Sequence, residues 1–234
     1  MSSTTWWMRF SALTRRPGDK LMTNLEAVVQ RARQTEHGFT ALRVEAGQIV
    51  ADSSKADALW SARQLLRSDA HQARQIATFI FGALAATSPQ ALQVLRNSVS
   101  RDPDWRVQEI LALAFDWYCR ETGYEQALPV LKSWLADSHE NVRRAASEGP
   151  RIWTSRPYFK QHPEVAIQLL SGLRADPSEY VRRSAGNALR DISRRHRELV
   201  RQELARWDVS RPGTSQTYRL ASRFISPPLS VTAP

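Results

Sequence analysis

Apolar residues recur every three or four positions along most of this chain, which is the spacing of one face of an α-helix. Three helices are predicted near the start, around residues 25–32, 59–66 and 73–84. The polar stretch from Glu45 to Lys55 predicts a loop with one irregular turn. Farther on, the pattern predicts four helix pairs: 89–99 with 104–120, 124–135 with 140–153, 163–173 with 178–195, and 197–207 with 214–224. The chain is therefore predicted to be all-α.

A short phrase recurs with drift in the middle pairs. It reads Asp-Pro-Asp-Trp-Arg-Val-Gln-Glu from Asp102, Asp-Ser-His-Glu-Asn-Val-Arg-Arg from Asp137 and Asp-Pro-Ser-Glu-Tyr-Val-Arg-Arg from Asp176. The spacings, 35 residues from 102 to 137 and 39 from 137 to 176, lie in or just below the range of stacked helix pairs. This repeat predicts a right-handed solenoid of HEAT-like antiparallel helix pairs with a concave basic groove.

Superposing the copies aligns Val107, Val142 and Val181 as buried positions. The residues that directly follow should form stripes along the groove: Gln108, Glu109, Arg143, Arg144, Arg182 and Arg183. Pro150 should kink or stop the helix that begins at Glu140, because proline removes a backbone donor and clashes with the preceding turn.

The predicted domain boundaries are a flexible extension over residues 1–21, one HEAT-like repeat domain over 22–225 and a disordered tail over 226–234. No stretch reaches the roughly 18 apolar residues that a membrane helix requires. We therefore expect no membrane partner. The expected state is a cytoplasmic monomer, associated with the nucleoid in a bacterium.

The net charge of +10 is typical of a protein with a polyanionic partner, and biased codon usage is the alternative explanation for so many arginines. Arginine dominates the cations, and its planar fork suits phosphates and base edges. We predict that the partner is double-stranded DNA, since the arginines cluster on the repeats. The alternative is a solvated face with local pairs such as Glu179 with Arg183. The candidate DNA-binding residues are Arg143, Arg144, Arg151, Trp153, Arg182, Arg183, Asn187, Arg190 and Arg194.

Carboxylates recur beside aromatic or polar groups on three successive second helices. Trp105 and Glu109 are four residues apart, so both can face one concavity and attract a cation through the ring and the charge. Glu148 with Trp153 repeats this chemistry, and Asp191 with Asn187 repeats its polar half. Each alone is more often a core tryptophan or a solvated acid.

Several classes of site are absent from the sequence. There is no phosphate-binding glycine loop, no His-Glu-x-x-His motif and no Cys-His metal spacing. Cys119 is the single cysteine, and its apolar helical surroundings predict a core position. We therefore expect neither a metal nor a cofactor.

On these residues the chain resembles the HEAT-like repeat DNA alkylation repair proteins, the AlkC and AlkD superfamily of alkylpurine DNA glycosylases. The similarity covers roughly residues 60–225 and rests on the phrases that begin at Asp102, Val142 and Pro177. The last phrase, from Pro177 through Ser193, is the most specific. The superfamily also has a branch without demonstrated glycosylase activity, and the mixed site of this chain looks closer to that branch.

The resemblance implies roles for particular residues. Trp105 matches the first of two site tryptophans in AlkD-type enzymes, Glu109 falls at their aspartate, and Asn187 stands where their second tryptophan would be. Glu148 and Asp191 look like the acids of AlkC-type sites. Arg144 and Arg190 match basic residues of AlkD-type enzymes that contact the DNA backbone.

The sequence thus favours a DNA-binding protein of this superfamily, and the resemblance leaves open whether it also excises cationic N3- or N7-alkylpurines without a metal. A carboxylate would stabilise the positive charge that develops on the sugar. Glu109 is the first candidate for this carboxylate, followed by Glu148 and Asp191, and the Trp105 ring would add to the stabilisation. The alternatives are a non-catalytic binder of DNA structures and a repeat adaptor for an acidic protein. An adaptor groove should carry apolar anchors, whereas a duplex-binding groove should be mostly arginine and polar residues.

Overall fold

The structure is a computed structural model that describes residues 19–225, with side chains from residue 24 onward. Within that range the chain forms thirteen α-helices and no β-strand, which confirms the all-α prediction. The predicted tail lies outside the described residues, as does most of the predicted N-terminal extension. The helices are α1 (Asp19–Arg33), α2 (Thr40–Asp52), α3 (Lys55–Leu65), α4 (His71–Leu84), α5 (Pro89–Asn97), α6 (Trp105–Thr122), α7 (Tyr124–Leu135), α8 (Glu140–Glu148), α9 (Pro157–Gln161), α10 (Pro163–Ser171), α11 (Glu179–Ser193), α12 (Arg197–Leu204) and α13 (Pro212–Ala221).

Two segments differ from the prediction. The loop predicted from Glu45 to Lys55 is wrong, since α2 continues through Asp52. Its buried side is narrow, and an exposed Val44 and Gly47 interrupt the apolar spacing that would have revealed it. Beyond α8, a 3-10 turn (Trp153–Ser155) and the short α9 occupy a stretch that the pattern assigned to helix and loop. The early stop predicted at Pro150 is confirmed, because α8 ends at Glu148.

The second helices of the repeats form one layer. Helices α4, α6, α8, α11 and α13 pack side by side in that order, while α5, α7, α10 and α12 pack on them as a second layer. Val107, Val142 and Val181 are fully buried between the layers, as predicted. Cys119 is also in the core, where the neighbouring Phe115 stacks on Trp134 at 4.0 Å between ring centroids.

The recurrent aspartates organise the turns between layers. Each of Asp102, Asp137 and Asp176 accepts the backbone N–H two residues later, at 2.8–2.9 Å. This bond replaces a backbone partner that the chain lacks as it enters the next helix. We call these aspartates, with the arginines that bind them, the turn ladder.

Arginines complete the turn ladder from the preceding repeat. The Arg143 guanidinium donates two bonds of 2.7 Å to the Asp176 carboxylate and two more to the carbonyls of Asp137 and Ser138. Arg74 binds Asp102 in the same bidentate way, at 2.7 and 3.1 Å. Arg74 and Arg143 therefore each join the turn of their own repeat to the turn of the next, and their side chains are only 14% and 10% exposed. Asp137 instead accepts from Arg96 at 2.6 Å, and that side chain is 38% exposed.

Removing one side of a buried ion pair leaves the other charge without a partner, which costs about 3–5 kcal/mol. We predict that Asp176→Ala lowers the free energy of unfolding by that amount, because Arg143 stays buried. The matched control is Glu179→Ala, whose partner Arg183 is 4.0 Å away and whose side chain is 62% exposed. It should cost less than about 1 kcal/mol. Urea unfolding measures both, and equal losses would contradict the assignment.

Candidate functional site

Two adjoining clefts bring the predicted acids together on α6, α8 and α11. Glu109 and Glu148 line the larger cleft, of about 240 Å³. Glu148 and Asp191 line the smaller one, of about 30 Å³. Because Glu148 and Arg151 belong to both, the three acids lie along one continuous surface, which we call the acidic cleft. Clefts of similar size near the N-terminus are lined only by residues of α1–α3 and the turn between α2 and α3.

Glu109 is the least neutralised of these acids. Its side chain is exposed, and no described residue within 24–225 forms an ion pair or a hydrogen bond with its carboxylate. Trp105 lies one turn earlier on the same face of α6 and is 58% exposed. The start of α6 is fixed by Asp104, which accepts the Arg106 backbone N–H at 2.9 Å. Hydrogen bonds from the Arg106 guanidinium lower the pKa of Asp104 to about 2.

The other two acids already have cationic neighbours. The Arg151 guanidinium lies 3.8 Å from the Glu148 carboxylate, which is a loose contact. Asp191 accepts a closer contact from Arg190 at 3.2 Å, and Arg190 also donates to the Asn187 amide oxygen at 3.0 Å. Glu109 therefore has the carboxylate best placed to meet an external positive charge.

A row of arginines borders the acidic cleft. The Arg144 guanidinium lies 4.6 Å from the centre of the Tyr180 ring and lines the larger cleft. Three others have side chains that are 61–74% exposed and reach acids only at 3.8–4.0 Å. We define the arginine rim as Arg144, Arg151, Arg183, Arg190 and Arg194.

Three predicted DNA-binding residues lie elsewhere, so the structure corrects their placement. Arg143 belongs to the turn ladder, where all its bonds are internal. Arg182 donates to the Asp176 carbonyl and to Gln216, and so it also serves the turns. Trp153 is fully buried and donates its indole N–H to the Ser147 carbonyl at 3.1 Å. It cannot present its ring to a ligand beside Glu148.

The acidic cleft also contains residues that the sequence reasoning missed. Leu113 is 40% exposed one turn beyond Glu109, a spacing that could have revealed it. Ile152 lines the smaller cleft and is 52% exposed, and Tyr180, outside the cleft lining but next to Arg144, is 50% exposed. Phe39, from the turn before α2, lines the larger cleft, and nothing in its sequence context connects it to α6 or α8. The surface is therefore more apolar than the arginine stripes predicted.

Gly149 allows α8 to approach α6 at the wall of the larger cleft. A Cβ atom at this position would lie 2.6 Å from the Ala112 carbonyl oxygen and 2.9 Å from that of Ala145. Real side chains do not tolerate such distances to backbone atoms. The spacing of Glu109 and Glu148 across the cleft thus depends on a residue without a side chain.

The sequence model of the family described as DNA alkylation repair enzyme matches residues 29–223. The chain belongs to this family. Two solved structures support the family's fold for it. AlkD2 from Streptococcus mutans is 41% identical with a TM-score of 0.86, and smu.31 from S. mutans UA159 is 39% identical with a TM-score of 0.83. Each alignment covers 88% of this chain and 100% of the other.

Uncharacterized protein YhaZ of Bacillus subtilis (strain 168) is similar to this chain in sequence. It is 38% identical over 105 residues, which make up 43% of this chain and 29% of the relative. The match therefore spans less than a third of that protein.

In the part of the chain that the structure describes, no helix has the length and apolar character of a membrane span. Nor do three or more His, Cys, Asp or Glu residues there form a group that could hold a metal ion.

We predict that Gly149→Ala lowers the free energy of unfolding by about 1–3 kcal/mol, because α8 must move away from α6. The control is Gly47→Ala on the exposed side of α2, where an added Cβ meets no atom within 4 Å. Alanine favours a helix over glycine, so this variant should gain up to about 1 kcal/mol. Thermal unfolding compares the two, and a Gly149→Ala variant as stable as the parent would refute the close contact.

Proposed function

We propose that this protein binds double-stranded DNA through the arginine rim, on the concave face of a right-handed helical solenoid. The observation that carries the proposal is the contrast between two sets of arginines. Arg74 and Arg143 of the turn ladder are largely buried in bidentate pairs, whereas the side chains of Arg151, Arg183 and Arg194 are 61–74% exposed and reach acids only at 3.8–4.0 Å. Exposed guanidinium groups on adjacent helices suit the phosphates of a duplex.

The charge and the packing order support the same proposal. A net charge of +10 favours a polyanion. The rim follows α8 and α11, which are neighbours in one layer: Arg144 and Arg151 line the larger cleft, and Arg190 and Arg194 contact Asp191. The name of the family, DNA alkylation repair enzyme, agrees with a DNA partner.

The exposed apolar residues bear on the adaptor alternative. Trp105, Leu113, Ile152 and Tyr180 could anchor a protein partner, which was the expected mark of an adaptor. They are interleaved with arginines, however, and the Tyr180 ring lies against Arg144. Rings and aliphatic groups between phosphate-binding arginines also suit sugars and base faces. We therefore favour the duplex over the acidic protein.

We further propose that the acidic cleft excises cationic N3- or N7-alkylpurines from the bound duplex. The observation that favours catalysis over binding alone is Glu109, an exposed carboxylate without a partner among the described residues and one turn from Trp105. A non-catalytic binder would gain nothing from an unneutralised negative charge beside phosphates.

The chemistry needs few groups from the protein. An alkylated purine already carries a positive charge, so the C1′–N bond breaks with its electron pair moving to the departing base, which leaves neutral. The Glu109 carboxylate stabilises the resulting sugar cation and takes a proton as water attacks C1′. The Trp105 ring adds attraction for the positive charge. The products are a free base and an abasic site.

Removing rim arginines should weaken DNA binding and reduce its dependence on salt. The test variant is Arg151→Ala with Arg194→Ala, and the control is Arg201→Ala with Arg206→Ala on and just after α12 in the other layer. If two phosphate contacts are lost, the slope of log affinity against log salt should fall by about two for the rim pair only. Equal effects from both pairs would place the duplex elsewhere or make the attraction nonspecific.

Replacing the free acid should abolish excision but preserve binding. We predict that Glu109→Gln slows single-turnover release of 3-methyladenine and 7-methylguanine by at least about a hundredfold, because the neutral amide no longer stabilises the sugar cation. The control Glu125→Gln, on α7, should release both bases at the parental rate. Full activity in the Glu109 variant would reassign the role to Glu148. A parent protein that binds without release would be a non-catalytic binder.

A further inference from the structure

Ile152 adopts a backbone conformation that its side chain disfavours. Its φ is 58° and its ψ is 61°, in the left-handed region. Among the described residues it is the one non-glycine position with positive φ. A β-branched residue is a strong outlier there, because its side chain crowds the backbone. Glycine or asparagine would fit this turn with less strain.

Contacts on both sides hold the strained turn in place. On the N-terminal side, the Arg151 backbone N–H donates to the Glu148 carbonyl at 3.1 Å, directly after Pro150. On the C-terminal side, the Ser155 N–H donates to the Ile152 carbonyl at 2.8 Å. Local hydrogen bonds on both sides therefore hold the backbone of Ile152 in this conformation.

Buried groups anchor the same segment to the core. Trp153, the next residue, is fully buried, and its ring lies 4.9 Å from that of Phe159. The Arg156 guanidinium binds the buried Asp116 carboxylate at 2.7 Å, and Asp116 also accepts the Tyr124 hydroxyl. Such anchoring can maintain strain at a functional position.

The held side chain does not contribute to the core. It is 52% exposed at the edge of the acidic cleft, beside the 74% exposed Arg151. The cleft that it lines, of about 30 Å³, is about an eighth of the volume of the larger cleft, so Ile152 does not form the wall of a base pocket. The turn thus presents one aliphatic group outward, next to Arg151 and in the cleft that Glu148 and Asp191 also line.

We propose that Ile152 is a wedge that enters a weakened base step of the bound duplex, while Arg151 holds an adjacent phosphate. This inference rests on the proposed DNA binding. Aliphatic side chains on rigid turns can insert between base pairs and unstack them, and the cost of unstacking is lowest at damaged or unpaired positions. The wedge would bring such a position beside the acids. An acidic protein would also meet Arg151, but it offers no base step for a single aliphatic group to enter.

The test compares two duplexes that differ in one step. One is intact, and the other carries an abasic analogue, each with 2-aminopurine beside the test position to report unstacking by its fluorescence. The parent should bind the abasic duplex about tenfold more tightly than the intact one and increase its fluorescence. Ile152→Gly should bind both equally without the increase, although its Tm should be unchanged or higher. Ile152→Leu keeps the aliphatic group and should retain the preference, and Val209→Ala, at another exposed site, should match the parent.

Each outcome separates the wedge from the proposed function. If the parent binds duplex DNA but Ile152→Gly keeps the preference and the fluorescence increase, the wedge is refuted and DNA binding stands. Binding by the parent without preference or fluorescence change also refutes the wedge alone. If the parent binds neither duplex, the proposed function fails and the wedge with it.

Discussion

The bidentate contact between Arg143 and Asp176 is the interaction on which the arrangement of this protein depends most. It joins α8 to the turn before α11, and Arg74 with Asp102 repeats it between α4 and α6. Both partners are nearly excluded from water, so neither can be lost without leaving an uncompensated charge. Packing of apolar side chains supplies the larger driving force for folding, but it lacks direction. The ladder supplies direction, because two parallel hydrogen bonds fix one helix relative to the next.

That fixed register explains where the candidate site lies. Six residues after each turn aspartate, the side chain points into the ladder, as Arg143 and Arg182 do. Seven residues after it, the side chain leaves the ladder: Glu109 and Arg183 are exposed, and Arg144, which is 7% exposed, lines the larger cleft. Asp191 and Glu148 extend the acidic cleft along the same layer. A free carboxylate, a cationic rim and a strained aliphatic turn are thereby held on one surface, as excision from a duplex would require.

Much of this could be predicted from the sequence, and the failures have a common cause. Helical spacing located most helices, the recurrent phrase identified the buried valines, and the carboxylates that recur beside aromatic or polar groups identified the acids that share the cleft. The same phrase misled for Arg143 and Arg182, because a charged residue in a repeat looks equally suited to solvent or to an internal carboxylate. Trp153 was predicted to face a ligand, and Ile152 was not predicted as a site residue. Both follow Pro150, which ends the helical register, so spacing no longer tells which side chain is buried. Phe39 reaches the cleft through tertiary packing alone.

The central claim is that duplex DNA lies along the layer containing α6, α8 and α11. Hydrogen exchange of the protein, with and without a saturating duplex, tests it most directly, since exchange slows where a partner covers the backbone or stabilises it. The account predicts slower exchange in the segment 149–156 and at the start of α6, α8 and α11, with α5, α7, α10 and α12 unchanged. Protection confined to those four helices would contradict it.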